Sequence, residues 1–262
     1  MKRLIVGLIV LVGVLVGVDF GAAALAESAV SRQMREQIGL PDDPDVRING
    51  FPFVTQALAG RYSSIDVAAD RLQVGMLQEV EVVAQLRDVQ APLSEVLGSG
   101  PKSLRAAEAD GTVRVGADDL ERLLGDVDRL RIESLDAEAL EQAVEDGADP
   151  ALADADPDTV ARLVGTTAAL GEETEVTAIV ALELTDGLVR IVPRDIRLGG
   201  PDAPPLPEST QSALRDRFTV DVDPGSLPLQ VTPTELRAVD GVLEISGSTT
   251  DLVLGAAATT SG

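Results

Sequence analysis

Carboxylates are the most abundant groups that could do chemistry: 44 Asp and Glu against 21 Lys and Arg in 262 residues, a net charge of −23. They form Asp-x-Asp pairs at Asp43/Asp45, Asp126/Asp128, Asp154/Asp156, Asp156/Asp158 and Asp221/Asp223. Such a pair can hold a divalent cation or share acid and base work, but a chain this acidic makes roughly two or three by chance, so the spacing singles out no catalytic pair. Asp154, Asp156 and Asp158 imitate the first three ligands of a calcium loop. The match fails at Thr159, where Gly is needed, and at Gly165, where a bidentate Glu belongs. The chain has no Cys and no His, which removes thiol and Ser-His-Asp nucleophiles, disulfides and the usual zinc and haem ligands. Gly98-Ser99-Gly100 before Pro101 reads as a loop rather than a nucleophile elbow. No catalytic residue, metal ligand or cofactor is expected. The acidic excess repels phosphate backbones, so no nucleic-acid partner is expected either.

Aromatic residues are few: Phe20, Phe51, Phe53, Tyr62 and Phe218. Three of them crowd the segment from Val46 to Tyr62, where Gly50 permits a bend and Pro52 fixes its own φ and favours an extended Phe51. In an extended chain Phe51 and Phe53 project to the same side. Two rings on one side of a rigid corner could guard the mouth of an apolar cavity or touch a membrane; equally, they could plug the end of a sheet-and-helix core.

The elements that must position these residues are mostly strands. Val80, Val82, Ala84 and Leu86 alternate with Glu81, Val83, Gln85 and Arg87, and Val176, Ala178, Val180, Leu182 and Leu184 alternate with mixed residues from Glu175 to Thr185. One apolar and one mixed face is the pattern of an antiparallel sheet covered on one side. Asp110-Gly111, Asp186-Gly187 and Asp240-Gly241 lie between alternating runs and predict tight hairpins. Thr232 to Glu235 resembles a helix-capping box, but a strand is expected there because a good one follows at once. Helices are expected at Glu27 to Ile38, stopped by Gly39-Leu40-Pro41, at Ala117 to Leu124 with Leu120, Leu123 and Leu124 on one side, near Leu135 to Glu145, at Asp158 to Val164, and at Glu208 to Arg217. The ten acids between Glu133 and Thr159, unaccompanied by any base, read as solvated helices and a loop. The fold class is α+β: a long curved antiparallel sheet, a meander of hairpins, wrapped on one or two helices and enclosing an aliphatic groove.

Lys2 and Arg3 precede an apolar run from Leu4 to Val18, followed by Asp19 and the small residues Gly21 to Ala26. This is the layout of an export signal, with a cleavage point after Ala26, and the helical pattern running on to Ile38 equally suits an uncleaved anchor. Residues 1–26 are thus read as signal peptide or signal anchor, 27–255 as one domain with an acidic Ala-rich segment at 133–160, and 256–262 as a flexible tail. Both readings place the body of the chain outside the cytoplasm.

Gly50-Phe51-Pro52-Phe53-Val54-Thr55-Gln56, the Gly60-Arg61 step into a long strand, and Ser226-Leu227-Pro228-Leu229 before the last hairpin resemble the LmeA-type phospholipid-binding proteins of the actinobacterial envelope. The likeness covers roughly residues 27 to 255; the acidic segment from Glu133 to Thr159 and Val54, where Leu is commoner, depart from it. It implies a fold similar to the tubular lipid-binding domains and a non-catalytic phospholipid binder supporting envelope lipid or lipoglycan assembly. The residues then expected at the groove or its mouth are Phe51, Pro52, Phe53, Val54, Leu58, Tyr62, Phe218, Leu227 and Leu229, with Arg47 and Arg61 as headgroup contacts. The expected partners are a phospholipid, an envelope enzyme, and the membrane if the N-terminal segment stays attached, the chain itself being monomeric. The competing reading is an exported structural or interaction protein with no lipid cavity.

Overall fold

A computed structural model describes residues 2–74, 77–92, 103–168, 173–185, 188–200, 203–204, 206–222, 233–239 and 241–255. Leu227, Leu229 and the tail 256–262 lie outside them. The chain divides into two compact units, Met1–Asp70 with Val82–Gly111 and Ser248–Gly262, and Arg71–Glu81 with Thr112–Gly247. The expected antiparallel α+β architecture is observed, with its strands shared between a six-stranded sheet, in the order β1-β2-β3-β4-β11-β10, and a five-stranded sheet, β5-β6-β7-β8-β9.

The first unit opens with α1 (Lys2–Ile38), a single helix about 55 Å long. It stops at Gly39, which takes φ +74° while the N–H groups of Gly39 and Leu40 both return to the carbonyl of Arg35. Strand β1 (Asp45–Asn49) pairs antiparallel with β2 (Arg61–Val74), placing Val46 opposite Val67 and Arg47 opposite Asp66. Between them lies α2 (Phe53–Ala59), closed by Gly60 at φ +61°. Strands β3 (Leu77–Gln90), β4 (Ser103–Gly116) and β11 (Val242–Gly255) complete the long members of the first sheet.

Asp110-Gly111 makes no turn. It lies inside β4, Gly111 has no positive φ, and Ala109, Val113 and Val115 are buried on either side of it. With a strand on each flank, the ladder and the burial outweigh the local turn preference. Of the other two sites, Asp186, Gly187 and Asp240 lie outside the described residues; the strands on either side of each are paired. Thr185 stands opposite Leu188, and Val239 opposite Val242, with Gly241 at φ +89°. The strand expected after Thr232 is β10 (Pro233–Val239).

The second unit carries α3 (Ala117–Leu124), β5 (Asp128–Ser134), α4 (Ala137–Glu145), two 3-10 turns at Pro150–Asp154 and Pro157–Thr159, β6 (Val160–Thr167), β7 (Thr174–Thr185), β8 (Leu188–Leu198), α5 (Glu208–Phe218) and β9 (Val220–Val222). The helix expected at Asp158 to Val164 is instead the short second turn followed by β6. Its β-branched residues fit a strand paired on both sides, to β5 and to β7. The acidic segment is mostly solvated surface, but its apolar residues are not idle: Leu135, Leu140, Ala143, Ala148 and Leu152 pack with Val160 and Ile179 against one face of the five-stranded sheet. Asp136 caps α4 by accepting the N–H of Ala139 at 2.8 Å.

Candidate functional site

The opposite face of the five-stranded sheet lines an apolar chamber of about 240 Å³. Alternation along β7 sends Val176, Ala178 and Val180 into it and leaves Ile179 on the α4 side. On β8 simple alternation would fail, but the ladder shifts register between Ile179 and Val180, which stand opposite Asp195 and Pro193, so Arg194 is the extra residue of a bulge. Ile191 and Pro193 before it, and Ile196 and Leu198 after it, therefore line the same chamber. Leu120, Leu123 and Leu124 of α3 and Leu214 and Phe218 of α5 complete the wall. Gly165 of β6 also lines it, and a Cβ there would meet Val127 Cγ1 at 2.5 Å. Among the described residues the lining has no ionisable side chain; its hydroxyls are those of Thr167, donated to the Asp126 carbonyl at 2.7 Å, and Thr210.

Charge is held outside this wall. The bulge turns Asp195 and Arg197 away from the chamber as a buried pair at 2.6 Å, with Arg197 also donating to the carbonyls of Ala203 and Asp146 and Gln211 donating to Asp195. Arg215 of α5 donates its Nε–H to the carbonyl of Pro193 at 3.0 Å, which holds a guanidinium beside the chamber wall. At the N-terminal side, Asp119 of α3 is buried and accepts the N–H groups of Gln78 and Glu79 and a guanidinium proton of Arg122. This ties α3 to the start of β3 and fixes the leucines that form the wall.

The aromatic motif sits in the first unit. It forms a corner rather than a pair of parallel rings: Phe51 is exposed, Pro52 precedes α2, and Phe53 is the first residue of that helix and is buried. The bend at Gly50 and Phe51 and the helix that starts at Phe53 break the extended geometry that would put both rings on one side. Phe51 lies against Phe20 of α1 with ring centroids 6.2 Å apart, whereas Phe53 lies 6.4 Å from Tyr62, whose phenol burial pushes up from its ordinary pKa. Val54 and Leu58 are exposed on α2. Gln56 explains the rest of the motif. Its Oε1 accepts the N–H of Ser63 at 2.9 Å, and its side chain fills the space beside Gly50, where φ is +109° and a Cβ would come within 2.7 Å. Thr55 donates to the carbonyl of Pro52, and the Gly60 carbonyl accepts the N–H of Ala91.

The expected headgroup cations are also here. Arg47 is exposed and 3.7 Å from Asp45, and Arg61 is exposed at the start of β2. Of the expected groove residues, Phe218 lines the chamber of the second unit, while Phe51, Pro52, Phe53, Val54, Leu58 and Tyr62 gather at the corner of the first. The wall residues on β7 and α3 were visible in the sequence as apolar faces. Those on β8 were hidden by the bulge.

A family model described as LmeA-like phospholipid-binding matches residues 17–248. The chain belongs to that family. No curated protein and no solved structure was found to match it. Membership in the LmeA-like family places phospholipid among the ligands to consider for an apolar chamber, and its matched segment takes in both the corner motif and every described wall residue.

Proposed function

We propose that this protein is an extracytoplasmic, non-catalytic phospholipid binder that shelters acyl chain in the chamber of its second unit and presents or transfers the lipid during envelope lipid or lipoglycan assembly. The observation that carries the reading is a wall without ionisable groups around a volume of about 240 Å³. That is close to the lower end of ligand pockets, roughly 300–1,000 Å³, and suits part of an acyl chain better than a polar metabolite. Each methylene removed from water would contribute about 0.8 kcal/mol. The phosphate would stay outside the wall, on the side of Arg215. Lys2 and Arg3 ahead of the apolar run support export with the body outside the cytoplasm.

The test is native mass spectrometry with lipid extraction on the full chain purified from a bacterial host, beside an Ala178→Phe variant that fills the chamber from the middle of β7. Wild type should carry a stoichiometric phospholipid, and the variant should fold with the same circular dichroism and carry none. A wild type that neither retains nor takes up phospholipid, or a filled variant that binds as well, overturns the proposal and favours an interaction protein.

A further inference from the structure

Helix α1 is the one described helix long and apolar enough to cross a membrane. Its contacts with the first unit fall on both sides of the cleavage point after Ala26. Upstream, buried Asp19 accepts the N–H groups of Phe53 and Val54, each at 2.8 Å, and Phe20 lies on Phe51. Downstream, Glu27 accepts the N–H of Ile48 at 2.8 Å and Ser31 donates to the carbonyl of Pro44 at 2.6 Å. Cleavage would strip two backbone amides at the start of α2 of their acceptors and remove the Phe20 ring from Phe51. The family match itself begins at residue 17, ahead of Asp19.

The length of the apolar run says what the helix does next. Leu4 to Val18 spans about 22 Å, short of a hydrocarbon core of about 30 Å. Asp19 ends the run, but its charge is turned inward onto the two amides of α2 rather than outward to lipid. Beyond it, Phe20 and Leu25 on α1 and Phe51 and Leu58 at the corner are all more than 60% exposed. Val54 and Leu58, four residues apart, share one face of α2. These groups begin where the apolar run ends, and they supply the missing apolar depth.

We propose that α1 is retained as an anchor and that the α2 corner, carrying Phe51, Val54 and Leu58, rests in the bilayer interface beside it. The occupant of this surface is lipid because the hydrogen bonds of Asp19 hold α2 at the point where α1 leaves the membrane. The acidic body is repelled by anionic headgroups, which confines the contact to this corner, where Gly50 to Tyr62 carries Arg61 and no acid. The proposal does not depend on what fills the chamber.

The chain has no Trp, so a single introduced Trp reports without background. The full chain carrying Leu58→Trp, made in a bacterial host with its own N-terminus, is first weighed intact and then reconstituted into phosphatidylcholine and phosphatidylglycerol vesicles with brominated acyl chains. Val239→Trp, at an exposed site on β10, is the control. The expected results are a mass that includes residues 1–26 and a loss of about half the Leu58→Trp emission, with the control unquenched. A chain beginning at Glu27, or equal emission from the two variants, overturns the proposal. Phospholipid bound in the chamber changes neither the mass of the denatured chain nor the difference in quenching between the two variants.

Discussion

The carboxylate of Asp19 and the backbone N–H of Phe53, 34 residues apart, meet at 2.8 Å inside the first unit, and the second carboxylate oxygen takes the next amide, that of Val54. A group that reads as the polar end of an export signal thus serves as the N-terminal cap of another helix, a role that Pro52 cannot fill because it offers no side-chain acceptor.

Removing that cap should be costly. Asp19→Ala should destabilise the first unit by about 2 kcal/mol, because two amides lose their partners, and Asp19→Asn should cost less because one oxygen remains. Hydrogen exchange at Phe53 and Val54 in detergent-solubilised full chain checks this: exchange should accelerate in the Ala variant, and protection equal to wild type would refute the role.

Gly50 and Gly111 should respond oppositely to Ala. At Gly50 φ is +109° and the new Cβ would press on Gln56, so a loss of about 1–3 kcal/mol is expected. At Gly111 nothing lies within 4 Å and φ is not positive, so the same change should be neutral or slightly stabilising. Urea unfolding midpoints of the two variants should move in different directions or by clearly different amounts.

Thr177 of β7 is buried, with an Oγ1 that has no hydrogen-bond partner among the described residues. Thr177→Val keeps the shape and removes the stranded hydroxyl, which should raise stability by about 1 kcal/mol. Because Thr177 alternates with Val176 and Ala178, which face the chamber, lipid binding should be unaffected. A lower melting temperature would show that the hydroxyl is satisfied after all.

Asp66 gives the first unit a dependence on acid. Burial pushes its carboxyl up, but hydrogen bonds from Gln85, Asn49 and Ser64 and the charge of Arg47 outweigh burial and hold it below its ordinary value. A carboxyl whose pKa is lower folded than unfolded contributes stability that is complete above the unfolded value, about 3.9, and disappears as pH falls through the folded value. Melting temperature should therefore drop from about pH 4 downward, and Asp66→Asn should flatten that drop. An equal slope in the two proteins would exclude Asp66 as a source.

Period-two alternation placed β3 and β7 correctly, and it identified Val176, Ala178 and Val180 as one face, because side-chain direction along a strand is set within the strand itself. The same reasoning located α3 and its leucines and the stop of α1 at Gly39. It could not follow β8, where one extra residue at Arg194 reverses the alternation, and bulges follow from pairing with a neighbour. It also misread Asp110-Gly111 as a turn, since nothing local announces that strands will flank β4 on both sides.

Composition and local pattern by themselves determined that the chain lacks thiol and imidazole chemistry, that it is an antiparallel α+β protein with aliphatic faces, and that its N-terminal segment has the charge and hydropathy of a signal or anchor. Only the tertiary structure decided that Phe51 and Phe53 part company, that the leucines of α3 meet the strands of the second sheet around a chamber, and that Asp19 and Asp119, among 44 acids, are buried acceptors of distant backbone amides. The reason is physical: a side chain's face follows from a short repeat, whereas its burial depends on which distant segment supplies the partner that offsets its desolvation.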